Sequence, residues 1–142
     1  MTLPTLLVAP AITKVARLPD ARSSGRCDAL LFVGAVDGKA LAALPERDRW
    51  QALHRRSRVS ADTVRTTSLA NARQTAAIIG YAGKSSSMFE KRALAGRMLQ
   101  ERGTRRPERI AFVVDENLAA RAGWFEALVA AAHAHAFAMP SF

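Results

Sequence analysis

A chain of 142 residues with a formal net charge of +9 and 49% hydrophobic residues is long enough for one domain whose core needs no covalent staples. Its single cysteine, Cys27, excludes an internal disulfide and suits the reducing cytoplasm. No apolar run approaches the ~20 residues that cross a bilayer, and Thr5 to Ala11 is too short and poorly flanked for a secretory leader, so no membrane partner is expected.

Thr5-Leu-Leu-Val-Ala, extending toward Val15, opens the domain as a strand that Pro10 confines to an edge or a bulge. Asp20 to Arg26 reads as a loop. Cys27 to Val33 is a nearly continuous apolar strand, the pattern expected when helices cover both faces of a sheet, and Asp37-Gly38 is a turn. A helix follows with Pro45 in its first turn and runs to about Arg58, with Trp50 and Leu53 on its inner side and Arg47, Arg49, Arg55 and Arg56 on its outer side.

Thr63 to Leu69 is β-branched and alternating, and Asn71-Ala-Arg73 turns it back into Gln74 to Ile79, an antiparallel hairpin inside or at the edge of the sheet. Ser87-x-x-Glu90 is a capping box that starts a helix at Met88. Leu94, Ala95, Met98 and Leu99 share its inner stripe, where Lys91 intrudes and is expected to bury its stem while keeping its ammonium in water. Gly103 closes that helix, Arg105 to Glu108 is a polar connection, Ile110 to Val114 is a buried strand, and Glu116 to Phe137 forms a last helix. Strands alternating with helices predict an α/β fold, a three-layer α/β/α sandwich with a mixed sheet, with an α+β domain as the alternative.

The excess positive charge sits in the middle, where residues 46–109 carry fifteen basic and six acidic groups. Arg55, Arg56 and Arg58 with Arg102, Arg105, Arg106 and Arg109 form a candidate phosphate-contacting set for nucleic acid. No aromatic residues interleave with them, and a solvated basic face accounts for the same pattern. Gly80-Tyr-Ala-Gly83-Lys84-Ser85 ends a strand before a helix, where backbone N–H groups can cradle an anion, making Gly80, Gly83, Lys84 and Ser85 a second candidate site. Its glycines have two residues between them where a P-loop has four, and it fails the dinucleotide spacing, so a plain strand-to-helix turn is its simpler reading.

No catalytic set is legible. His54, His133 and His135 are the only imidazoles, and His133 and His135 diverge on a helix, so no metal site is expected. Cys27 reads as an inert core thiol, and Ser85 to Ser87 as a helix cap without a nucleophile elbow.

Ile78-Ile79-Gly80-Tyr81-Ala82-Gly83-Lys84, the helix containing Ala93, Ala95 and Gly96, the strand Ile110 to Val114 and a final Ala-rich helix into Ala136-Phe137 resemble, in that order, the N-terminal domain of the leucyl aminopeptidase (M17, cytosol aminopeptidase) family. That family has a Val-Gly-Leu-Gly-Lys-like turn after a central strand, and Asp28 to Val33 followed by Asp37-Gly38-Lys39 is similar to its early strand and turn. The resemblance implies a macro-domain-like fold and a non-catalytic role in assembly or regulation. It places the two divalent metal ions and the catalytic residues in a C-terminal domain, so no cofactor and no catalytic residue is carried over to this chain, and the partner implied is that C-terminal aminopeptidase domain or a second copy. The alternatives are a stand-alone macro-like module for a phosphate-bearing ligand, a nucleotide or DNA, and a small hydrolase using other groups.

Overall fold

A computed structural model describes residues 18–56, 58–83, 86–101, 109–118 and 121–136, with the side chains of His135 and Ala136 excepted. The N-terminal strand expected at Thr5, the close at Gly103, the connection at 105–108 and the end of the last helix at Phe137 lie outside the described residues. Four strands, β1 (Ala29–Gly34), β2 (Val64–Ser68), β3 (Ala76–Tyr81) and β4 (Ile110–Val114), form one mixed sheet in the order β2-β3-β1-β4. β1 is parallel to both β3 and β4, with Phe32 opposite Ile79 and Val113, whereas β2 is antiparallel to β3, as the hairpin pattern predicts.

The helices are α1 (Ala21–Ser24), α2 (Arg47–His54), α3 (Met88–Gln100) and α4 (Arg121–Ala136), with a 3-10 turn at Lys39–Ala43. No helix among the described residues is long and apolar enough to cross a membrane. Strand pleating divides the core into two clusters. Leu31, Val33 and Ile78 meet Leu94, Met98 and Leu99 of α3 and Trp124 and Leu128 of α4 on one face. Leu30, Phe32 and Ile79 meet Leu41, Leu44, Trp50 and Leu53 on the other. Both faces of β1 are therefore buried, which is why its sequence is apolar throughout.

Several boundaries differ from the sequence reading. The expected loop at Asp20 to Arg26 contains α1, because Asp20 accepts the Ser23 N–H at 2.8 Å while Ser23 Oγ accepts the Asp20 N–H at 2.9 Å. Cys27 lies before β1 rather than in it, half-buried, with Sγ donating to the Ser23 carbonyl at 3.4 Å, and burial pushes its thiol up. Pro45 precedes α2 instead of occupying its first turn, since the intervening Glu46 is left-handed at φ 55°. The last helix is described from Arg121, and where it was expected to begin, at Glu116, Asp115 to Leu118 forms a turn.

Gly80 is a strand residue, paired with Val33 and Val64, and not part of the turn. A β-carbon there would sit 2.3 Å from Met98 Sδ, so its lack of a side chain lets α3 settle on the sheet. Lys91 is also corrected: it is 8% exposed, and its ammonium donates to the Ser86 carbonyl at 2.9 Å and lies 5.8 Å from the Trp124 ring centroid. A backbone acceptor and an aromatic face take over much of the role assigned to water.

Candidate functional site

The parallel strands β3, β1 and β4 end on the same edge of the sheet. After β1 the chain passes to the face carrying α2, and after β3 it passes to the face carrying α3 before crossing β1 to reach β4. Neighbouring parallel strands that send their connections to opposite faces leave a crevice outside their carboxyl ends. Here that crevice has a volume of about 350 Å³ and is lined by Ala35, Val36 and Asp37 after β1, Ala82 and Gly83 after β3, and Asn117 and Leu118 after β4. This is the small end of the size range for ligand sites.

Backbone pairing fixes all three walls. The Ala82 N–H donates to the Gly34 carbonyl at 2.9 Å, and the Asp115 N–H donates to the Val33 carbonyl at 2.9 Å, which carries the register of the sheet into the loops. Asp37 Oδ1 accepts the Lys39 N–H at 3.0 Å, and Gly38 then turns left-handed at φ 67°. A β-carbon at Gly38 would lie 2.6 Å from His54 Nε2, so only glycine allows both the turn and the imidazole packed on it.

On the third wall, Asp115 Oδ1 accepts the Asn117 N–H at 3.0 Å and the Asp115 carbonyl accepts the Leu118 N–H at 3.1 Å. Val36 is 45% exposed at the rim, and Phe89, the second residue of α3, is exposed on the same edge.

Behind the end of β3, on the α2 face, Tyr81 is 1% exposed and its hydroxyl lies 2.7 Å from His54 Nδ1. Burial pushes the phenol up, with the Arg65 guanidinium partly opposing it. Arg65 Nη1 donates to the carbonyls of Leu53 and His54 at 3.1 and 3.0 Å, closing the carboxyl end of α2. A larger hollow of about 440 Å³ runs between α3 and α4, lined by Gly96, Leu99, Ala130, Ala131 and Ala134 with Arg92 and Gln100. It gathers neither a carboxylate nor an imidazole, so the crevice is the chemically richer place.

The sequence candidates are dispersed. Gly83 lines the crevice, whereas Gly80 is sealed under Met98. Lys84, Ser85, Arg102, Arg105 and Arg106 lie outside the described residues. Arg55 and Arg56 are exposed at the end of α2, where Arg55 Nε donates to the Gln51 carbonyl at 3.3 Å. Sequence reasoning missed Asn117, which lines the crevice, and Asp115, whose carboxylate accepts the Asn117 N–H. The available signal was an Asp-Glu-Asn run directly after a buried strand, which puts polar groups at the carboxyl edge of a parallel sheet.

Among the described residues, no group of three or more His, Cys, Asp or Glu side chains could hold a metal ion. Comparison of the chain with known families, with curated proteins and with solved structures returned no match.

Proposed function

We propose that this chain is a non-catalytic domain of the M17 leucyl aminopeptidase type, a three-layer, macro-like α/β/α module that serves assembly or regulation of a cytoplasmic metallo-aminopeptidase. The observation that supports it is the order of elements: the segments that carry the resemblance form β1, β3, α3, β4 and α4 in sequence, with Gly83 in the turn after β3. On this reading the two divalent metals belong to a separate catalytic domain, and the partner is that domain or another copy of the chain. The test mixes the purified chain with a separately expressed M17 catalytic domain and follows sedimentation velocity and leucine-anilide hydrolysis. A complex with altered oligomeric state or turnover is expected. Turnover by the chain alone, or two species that sediment independently, overturns the proposal.

A second reading, binding of DNA or of a phosphate-bearing nucleotide, has one observation in its favour. Arg47, Arg55, Arg56 and Arg58 are all exposed on or just beyond α2. Phosphate contact by this face requires an affinity for duplex DNA that falls steeply with salt, and Arg55→Ala/Arg56→Ala must flatten that slope by about two. Affinity insensitive to salt rejects it.

A further inference from the structure

We propose that the outer edge of β2 receives an extended acidic segment of a partner protein as an added strand of the sheet, paired through Val64, Thr66 and Ser68 and held between Arg49 and Arg97. β2 ends the sheet, with β3 as its neighbour. The Tyr81 N–H donates to the Thr63 carbonyl at 3.1 Å and the Leu69 N–H to the Thr75 carbonyl at 2.8 Å, so Thr63, Arg65, Thr67 and Leu69 turn their backbone groups toward β3. Val64, Thr66 and Ser68 turn theirs outward, where the Ser68 carbonyl accepts Arg49 Nη1 at 2.6 Å. Among the described residues, nothing pairs with the N–H groups of these three or with the carbonyls of Val64 and Thr66.

Such an edge is a template for another strand unless it is blocked. β2 contains no proline, and its charged side chain, Arg65, is turned back onto the carbonyls of Leu53, His54 and Arg58. Both ends of the edge carry exposed guanidiniums: Arg49 reaches Ser68 from the α2 face, and Arg97 reaches the Asp62 carbonyl at 2.8 Å from the α3 face. From Asp62 to Ser68 a strand runs roughly 20 Å, the span of an extended segment of about six residues. Because the two guanidiniums come from opposite faces, acidic side chains an odd number of positions apart meet one each. Against the arginines stand Glu46, 3.6 Å from Arg49 Nε, and the half-buried Asp62. A second copy paired through the same edge would set two α2 faces side by side, each with Arg47, Arg49, Arg55 and Arg56 exposed against Asp48, so like charge disfavours the chain itself and favours an acidic occupant. This proposal rests on neither the aminopeptidase reading nor the DNA reading.

The probe is the peptide acetyl-Glu-Val-Thr-Val-Thr-Glu-amide, titrated into the full chain by fluorescence anisotropy and by amide hydrogen exchange. It is expected to slow exchange of the Val64, Thr66 and Ser68 amides by about tenfold or more at saturation. An analogue with Lys at both ends should bind about tenfold more weakly or worse, as should the acidic peptide with Arg49→Gln/Arg97→Gln. An analogue N-methylated through its interior, which keeps the charge but loses its backbone donors, should protect none of the three amides. Thr66→Pro deletes an outward N–H without touching the ladder to β3 and is expected to abolish binding. Should that variant unfold, the N-methylated peptide tests the same hydrogen bonds on the unaltered chain. Equal binding of the Lys-ended or the N-methylated peptide, or no protection of the three amides, overturns the proposal. So does protection that appears on concentrating the chain alone, which assigns the edge to a second copy.

Discussion

Gly80 and Met98 occupy one volume that has room for a single side chain. The position of a β-carbon on Gly80 falls 2.3 Å from Met98 Sδ and 3.1 Å from both Cγ and Cε. Met98 is completely buried between α3 and the sheet, so it can only retreat by disturbing Leu94, Leu99 and their neighbours. Gly80→Ala is expected to destabilise the chain by about 1–3 kcal/mol, the usual result of overpacking a dense core. In thermal melts the Gly80→Ala/Met98→Ala pair should lose less than the sum of the two single variants, because trimming Met98 vacates the contested space. Additive losses would show that the two positions do not compete.

Tyr81→Phe removes the hydroxyl bonded to His54 and leaves a ring nitrogen short of its partner. A loss of about 1–2 kcal/mol in urea unfolding is expected.

The same residue gives an alkaline signature. Burial raises the phenol above its ordinary value of 10.0, against the opposing pull of Arg65. The unfolded chain thus gives up that proton first as pH rises, so the contribution of Tyr81 to stability is fully present below about pH 10 and declines through the folded-state value. The stability gap between the native chain and Tyr81→Phe must narrow above pH 10 and stay constant from pH 7 to 9. A constant gap across the whole range would contradict the burial argument.

Thr75 ties the hairpin to the entry of β1. Its hydroxyl contacts the carbonyls of Cys27 at 2.6 Å and Ser24 at 3.0 Å and accepts from Asn71 Nδ2 at 2.9 Å, in a residue with no exposed surface. Thr75→Val preserves shape but strands these buried groups, and a loss of about 1–3 kcal/mol is expected. Thr75→Ser should recover most of it. Equal stability of the valine and serine variants in denaturant melts would mean that shape, not the hydroxyl, matters here.

At the start of α3, the Glu90 N–H donates to Ser87 Oγ and the Ser87 N–H donates to Glu90 Oε1, each at 3.1 Å. Ser87→Ala should cost about 1 kcal/mol, and Ser87→Asp should restore the cap. The Ser87 N–H, and then its hydroxyl, hold Glu90 below the ordinary carboxylate value of 4.5. The unfolded carboxylate therefore protonates first on acidification, so the support given by Glu90 is present above about pH 4.5 and lost as pH falls through its folded value. A Glu90→Gln chain should show a shallower acid limb in pH-dependent melts.

Four segments of the fold were legible because local and global demands agree in them. The runs Leu30 to Val33, Ala76 to Ile79 and Ile110 to Val114 are apolar without alternation, as strands covered on both sides must be, and Ser87 caps its helix as its spacing announces. The misreadings arose where tertiary contacts decide. Nothing local to Gly80 tells that it lies under a methionine eighteen residues away, and nothing local to Lys91 reveals the Trp124 ring that receives its ammonium. The place of Asn117 on the crevice was overlooked for the same reason, since it depends on where three strands end, a property of the sheet order rather than of any one segment.

That sheet order also separates two tasks within the chain. The opening outside β1 and β3 arises because their connections leave in opposite directions, and no side chain at its mouth is needed to hold it apart. The exposed Val36, Asp37 and Asn117 can therefore exchange without dismantling the core, so the identity of what enters is open to change at little cost to folding. The architecture provides a vacancy that mutation can retune one wall at a time, from three stretches of sequence far apart in the gene.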